Sequence, residues 1–454
     1  MAGQGAIARA SAAAIPAGAA LLLWPAVMNG YPILFSDTGA FLAQLLDWFM
    51  VWDKPWVYGP VIGLLSLKFT LWLPVIAQGL LLSWLLWRLQ AALRLARPLG
   101  HVGICLILAI GSAAPWFASL LMADFLAPVT VICLFLIGFG PARGRMAMVI
   151  LGSFAIAAHL AHLVIAAAVL AVILLLRPRA FPRGVLPLLL ALAVLVGGNA
   201  IGHGRFGVSP YGSVFMLARL TADGPAADYL AAACPAAGYR MCAWVGRLPR
   251  VEDEFMWDPK GPVWTYPGGP PALAAEASAI VRATFLSRPL DVAGAMLRNT
   301  TAQLAQLRLD EVLGNHALDD TVGAKLRAHF PAAELARFQA SRQFADQLRP
   351  FAAPWQPAHA ALIGMAALAT VLTMWRARRR QPRLAALAAL VLAGVLANAF
   401  ATGALSGPHD RYQARIAWLL FLPPLLYGAH LYITNRCYIT MRATSGGLER
   451  TSAS

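Results

Sequence analysis

Charge is what this chain has least of. Of its 454 residues, 12% are Asp, Glu, Lys or Arg and 59% are hydrophobic. A soluble core could not absorb apolar runs of the length found here, so an ordinary water-soluble protein is excluded. Acids are rarer than bases, 20 against 36, which gives a net charge of +16. That excess does not point to nucleic acid. The arginines gather in short connections between apolar runs, where a membrane protein keeps its cytoplasmic positive charge. No phosphate-cradling glycine loop, nucleophile elbow or zinc-protease helix occurs, which leaves an ATP-driven pump or a soluble nucleotide-sugar enzyme without support. Cysteine is scarce too: of five in all, only Cys234 and Cys242 fall outside the expected spans and tail. An oxidising compartment would join that pair, and two thiols without spaced histidines make no metal site.

What is present reads as an all-α polytopic membrane protein. Apolar spans are expected near residues 12–35, 71–90, 99–118, 120–140, 146–176, 184–204, 356–375, 384–404 and 412–433. The first has no charged leader beyond Arg9 and is expected to stay attached. Arg88, Arg143, Arg177, Arg376 and the tail residues Arg436 and Arg442 mark the basic connections. All of these share the cytoplasmic side only if 146–176 crosses twice. Its length suits a paired, partly re-entrant hairpin with His159 and His162 near the apex, giving about ten passes with both termini inside. The chain then divides into an N-terminal membrane module (1–204), a mainly helical outer domain (205–355), and a C-terminal membrane module with its tail (356–454).

Nearly every acid falls on the outer side of this topology. Asp37 follows directly on the first span. Beyond it, Phe41, Leu42, Leu45, Leu46 and Phe49 recur at helical spacing, Trp52-Asp53-Lys54-Pro55 breaks the run, and a second apolar run extends from Val57 to Leu67. Segment 36–70 therefore reads as two amphipathic helices at the interface, with Trp48, Trp52, Trp56 and Tyr58 at headgroup depth. Asp124 is expected about one turn inside the fourth span, where a carboxylate must face a polar cavity or pair with a base such as Arg411. His159 and His162 share a helical face, and satisfied polar contacts come ahead of metal ligation for them. The last outer loop carries His409, Asp410, Arg411 and Arg415 into the final span. A helix start favours anions, so a phosphate held by Arg411 and Arg415 accounts for the pair better than snorkelling does.

The layout has a counterpart. It combines an acid after span one (Phe35-Ser36-Asp37-Thr38), two interfacial helices, the turn Asp53-Lys54-Pro55-Trp56-Val57-Tyr58-Gly59, and an acid entering span four (Met122-Ala123-Asp124). With its large outer domain and Asp410-Arg411-Tyr412, the chain resembles the GT-C superfamily of polyprenyl-phosphate-sugar-dependent membrane glycosyltransferases. The resemblance implies Asp37 as catalytic base, with Asp53 and Asp124 as substitutes. It implies substrate contacts from Lys54, Tyr58, His159, His162, Arg205, His409, Asp410, Arg411 and Arg415, the last two arginines being candidates for the carrier phosphate. The implied partners are a polyprenyl-phosphate-linked sugar, membrane lipid and an envelope glycan, lipid or protein acceptor; transfer would invert the sugar carbon. Many members show paired acids where Ser36-Asp37-Thr38 has one, which leaves open whether a divalent metal takes part. Arginine-over-lysine usage fits a GC-rich bacterium, so the expected place is the bacterial inner membrane with the active face toward the periplasm. Two other classes remain: a transporter or lipid flippase for an envelope glycolipid, opposed by the lack of an internal repeat, and a non-catalytic assembly partner.

Overall fold

The computed structural model describes residues 2–448, with side chains from 12 to 435. The side chains of Arg9, Arg436 and Arg442 therefore lie outside the described residues. The regular elements among the described residues are helical, and strand pairing is confined to one parallel bridge between Ile33 and Leu120. Among the described residues, five helices are long and apolar enough to cross a membrane: Trp72–Ala92, Pro178–His203, Leu348–Ala377, Pro382–Ala404 and Asp410–Asn435.

Several expected spans are shorter than a full crossing. Pro98–Gly111 has 14 residues, which at about 1.5 Å each covers roughly two thirds of a 30 Å hydrocarbon core. After a break at Ser112 and Ala113 the chain resumes as Ala114–Ser119, with Pro115 in its first turn. The first span, expected over 12–35, also breaks. Its opening helix ends at Leu22, Trp24–Asn29 follows with Pro25 at its start, and Gly30 at φ 80° closes it in the left-handed conformation that glycine tolerates. Residues 31–35 are not helical. Segment 146–176 is indeed a hairpin, built from Arg145–Ala157 and Ala161–Leu176.

At the centre lies Leu126–Phe139, every residue of which is buried. A helix apolar on all sides has no face to give to water, and this one packs against Trp72–Ala92, Arg145–Ala157, Ala161–Leu176 and Pro382–Ala399. Residues 205–355, expected as the outer domain, form two lobes with different allegiances. Leu217, Phe255, Met256, Leu273 and Ile280 build a separate core, against which Trp52 packs. Cys234 and Cys242 form the disulfide expected of that lobe, whereas Cys105 and Cys133 are buried thiols. By contrast, Leu313, Val322, Leu326 and Phe338 join the core of the membrane helices.

Two buried polar residues fasten this second lobe to the stretch before Asp37. Glu334 Oε1 accepts hydrogen bonds from the Tyr31 hydroxyl (2.6 Å), the Thr70 hydroxyl (2.9 Å) and the Leu71 N–H (2.8 Å). Gln343 takes the Leu34 N–H at 2.9 Å and donates to the Leu34 carbonyl at 2.7 Å. Buried backbone groups without a strand partner are satisfied in this way, and the approach to Asp37 becomes rigid.

Candidate functional site

The two first-loop helices form where hydrophobic spacing places them, as Ser36–Leu46 and Tyr58–Ser66. Thr38 fixes the first turn: its hydroxyl accepts the Phe35 N–H (3.1 Å) and donates to the Leu121 carbonyl (3.0 Å). Gly39 lets the second lobe come close, since a Cβ there would lie 2.7 Å from the Thr321 carbonyl carbon. Asp37 thus sits in the first turn, where the helix dipole favours an anion. It faces a cavity of about 1320 Å³, larger than the roughly 300–1,000 Å³ of common small-molecule sites.

A line of contacts crosses this cavity. Lys54 Nζ lies 5.8 Å from the centre of the Trp257 ring and 3.2 Å from Asp37 Oδ1. Asp37 Oδ2 lies 3.7 Å from Arg411 Nη1, and Arg411 Nη2 donates to the Tyr412 hydroxyl at 3.2 Å. The Tyr412 ring is 6.5 Å from His159 at the hairpin turn. One chain of neighbours therefore joins the outer lobe to the membrane hairpin through Asp37 and Arg411.

The charges fix the protonation states. Burial works to raise the Asp37 pKa, but Lys54 and Arg411 outweigh it and hold the carboxyl below the usual carboxylate range. Burial likewise works against the charged form of Lys54. Asp37 and Asp53 prevail, so its pKa is raised, and Lys54 also hydrogen-bonds Asp53.

Arg411 is the least satisfied charge at the site. It is 7% exposed, and its guanidinium lies 4.3 Å from the centre of the Phe35 ring. Nε is 3.4 Å from Glu311 and Nη1 is 3.7 Å from Asp37, yet neither nitrogen has a hydrogen-bond partner. Buried charged donors left without acceptors are costly, and an oxyanion would complete them.

The remaining sequence candidates separate into lining and framework. Asp53, Lys54, Asp124, His159 and His409 line the cavity with Asp37 and Arg411. Arg415 does not. It is fully buried, with Nη1 3.1 Å from Asp124 Oδ1 and Nη2 donating to Asn398 Oδ1 at 3.0 Å. Asp124 was expected to face a polar cavity or pair with a base such as Arg411; it lines the cavity and pairs with the arginine one helical turn further on, so the expected two-arginine clamp is not formed. Tyr58 was placed at headgroup depth, but it is 3% exposed and donates to Gln78 at 2.7 Å. Packing against Phe41 draws its ring inward.

Asp410 turns away to accept the Arg308 N–H at 3.0 Å, and Arg205 is exposed with its guanidinium 5.5 Å from the Tyr211 ring centre. His162 is buried beneath His159, with Nδ1 2.7 Å from the Ala155 carbonyl. Among the described residues no group of His, Cys, Asp or Glu is arranged to hold a metal ion, so no step is assigned to a divalent cation.

Glu252 and Glu311 are the acids that sequence reasoning missed. They flank His409, whose Nε2 is 3.8 Å from Glu252 and whose Nδ1 is 3.7 Å from Glu311. The run Glu252-Asp253-Glu254 before Phe255 was a usable signal of a helix start, but nothing local indicated that it faces the last loop. No protein-family model, curated protein or solved structure matches the chain.

Proposed function

We propose that this chain is a GT-C-type glycosyltransferase with about ten passes, the five long helices being joined by shorter ones that complete their crossings with non-helical segments. In this reading it works in a bacterial inner membrane and opens toward the periplasm. It moves a sugar from a polyprenyl-phosphate carrier to an envelope glycan, lipid or protein. The observation that carries the proposal is the pairing, 3.7 Å apart on one cavity wall, of an ionised Asp37 with the unpartnered N–H groups of Arg411.

The chemistry needs little more. The acceptor oxygen attacks the anomeric carbon from the face opposite the carrier, forming the new C–O bond as the bond to the phosphate oxygen breaks. Asp37 takes the hydroxyl proton; the phosphate leaves with the electron pair and is stabilised by Arg411. Lys54 holds Asp37 in place. As the phosphate draws on Arg411, Asp37 loses part of its counter-charge and becomes a stronger base. The resemblance suggested two arginines for the carrier; the proposal assigns the phosphate to Arg411 alone, because Arg415 is committed to Asp124.

The breaks at Leu23 and at Ser112 and Ala113 favour a second reading, a transporter or flippase for an envelope glycolipid, since such proteins use discontinuous helices. None of those three residues lines the cavity, which weighs toward the transferase. Transfer of radiolabelled sugar from polyprenyl-phosphate carriers in membranes decides between them. Wild type should be active and Asp37→Asn slower by about 10²–10⁴-fold at equal expression. Undiminished transfer by the mutant, or no transfer from any carrier, would sink the proposal.

A further inference from the structure

We infer that the outer-lobe wall of this cavity is a saccharide subsite for the acceptor, in which Trp52, Trp257 and Trp264 offer stacking faces and Glu252 and Asp253 accept hydroxyl hydrogen bonds. The inference rests on the transferase reading and narrows its acceptor to a glycan or the sugar headgroup of a glycolipid.

The wall departs from ordinary core packing. Trp257 and Trp264 are 44% and 46% exposed although both line the cavity, while Phe255 on the same short helix as Trp257 is completely buried. Large aromatic surface left bare inside a cavity marks a binding face. The Trp264 indole N–H is already used, donating to the Met256 carbonyl at 2.9 Å; what this residue has left to offer is the ring. Trp52 is set against Phe215 at 5.5 Å and Trp257 at 6.1 Å between ring centres, which makes the wall continuous with the first loop.

Carboxylates interrupt this aromatic surface. Asp53 lies beside Trp52, and Glu252 and Asp253 begin the helix that ends at Trp257. Glu252 Oε2 is held by Arg219 at 2.7 Å; its other oxygen lies against Gly407, with His409 at 3.8 Å, outside hydrogen-bond range. An alkyl or prenyl chain laid on this wall would strip water from Glu252 and Asp253 and return nothing. A sugar ring offers both halves of the match: a C–H face for flat aromatic rings and O–H donors for the carboxylates. Because Lys54 Nζ lies 5.8 Å from the Trp257 ring centre and 3.2 Å from Asp37, a sugar stacked on this wall sits on the side of the cavity that holds the base.

Saturation-transfer NMR on the full chain in lipid nanodiscs tests this, with maltotriose, N,N′-diacetylchitobiose and decyl phosphate as probes. At least one saccharide should bind saturably, at least tenfold more weakly to Trp257→Ala, with Trp257→Phe restoring most of the affinity by returning a ring. Trp375→Ala, which changes an exposed tryptophan remote from the cavity lining, should bind like wild type. Binding of neither saccharide, equal binding by Trp257→Ala, or Trp257-dependent binding of decyl phosphate alone overturns the subsite. If Trp257→Ala binds saccharide normally while the wild type transfers sugar, the subsite is wrong and the transferase reading stands. Trp257-dependent saccharide binding without consumption of any carrier refutes the transferase and leaves the subsite in place.

Discussion

Removing one member of the Asp124 and Arg415 pair should destabilise the protein far more than removing both. Arg415 is 0% and Asp124 2% exposed, and they meet at 3.1 Å. With Asp124→Leu the guanidinium keeps Asn398 Oδ1, at 3.3 Å from Nε and 3.0 Å from Nη2, and the Tyr412 ring at 5.2 Å, but no counter-charge. Breaking such a pair costs about 3–5 kcal/mol, because a buried charge is left uncompensated. Replacing both partners with apolar side chains removes the desolvation penalty along with the attraction, so Asp124→Leu with Arg415→Met should lie within about 1 kcal/mol of wild type or above it. At about 2–4 °C per kcal/mol for a domain-sized unit, each single variant should melt roughly 6–20 °C lower.

The molecule carries its own reporters for this experiment. Cys105 and Cys133 are buried, so a thiol-reactive dye reports unfolding once Cys437 has been changed to serine. Sugar transfer measured on the same samples separates roles. If Asp124→Leu melts with wild type while transfer is lost, Asp124 acts in the chemistry and its pairing is incidental. If the double variant is as unstable as the two single losses combined, the charges are not acting on one another and the reasoning fails.

Lys54→Met should move the acid limb of the transfer profile to higher pH. The depressed Asp37 pKa means that its stabilising ion pairs are fully present above the ordinary carboxylate pKa and are lost as pH falls through the depressed value; with one cation gone, Asp37 protonates at higher pH. An unmoved limb would show that Asp37 is not the titrating base. Glu334→Ala strands the Tyr31 hydroxyl, the Thr70 hydroxyl and the Leu71 N–H. At about 1–3 kcal/mol for a stranded buried group, a melting loss below about 2 kcal/mol would mean that water replaces them. Gly403→Val should displace helix Pro289–Ala305, since even a Cβ at Gly403 would lie 2.5 Å from the Asn299 carbonyl oxygen and 2.9 Å from Gln303 Cβ. Gln303 donates to the His409 carbonyl at 2.7 Å, so transfer should fall with stability, by about 1–3 kcal/mol in the latter; unchanged transfer would uncouple that contact from the site.

How far the sequence could be read depended on the kind of information each feature needed. The helices Ser36–Leu46 and Tyr58–Ser66 were legible because an amphipathic helix shows its periodicity locally. The hairpin at His159 was legible because basic loops constrain the parity of crossings, and the Cys234 to Cys242 disulfide because both lie in the outer segment. Breaks such as those at Leu23 and Ser112 were not, since hydropathy measures how apolar a segment is and says little about whether it stays helical. Arg411 and Arg415 mark another limit. Spacing of four placed them on one face, but just over one turn, about 6 Å, separates their depths. That turn carries Arg415 to Asp124 while Arg411 remains at the cavity. Glu252 and Glu311 come from different lobes and meet at His409 only through tertiary packing, which no local pattern records.

In a protein so poor in charge, the clustering around Asp37 also has a thermodynamic consequence. Asp37 and Glu311 already supply negative charge to Arg411, so the proposed carrier phosphate would compete with them for the same guanidinium. If the phosphate raises the Asp37 pKa by weakening that contact, linkage requires that protonating Asp37 tighten phosphate binding by the same factor, tenfold for each pKa unit. Decyl methyl phosphate keeps a constant single charge through the relevant range and isolates the effect. Its affinity should rise as pH falls through the Asp37 titration and level off below the depressed pKa of the free protein, and Asp37→Asn should bind it tightly with that component of the rise removed. Lys54 and Asp53 stay in place in both proteins, so their contribution cancels in the comparison. A rise of equal size in Asp37→Asn would assign the proton to a group other than Asp37, and a flat profile in wild type would mean that Asp37 and the phosphate do not share Arg411.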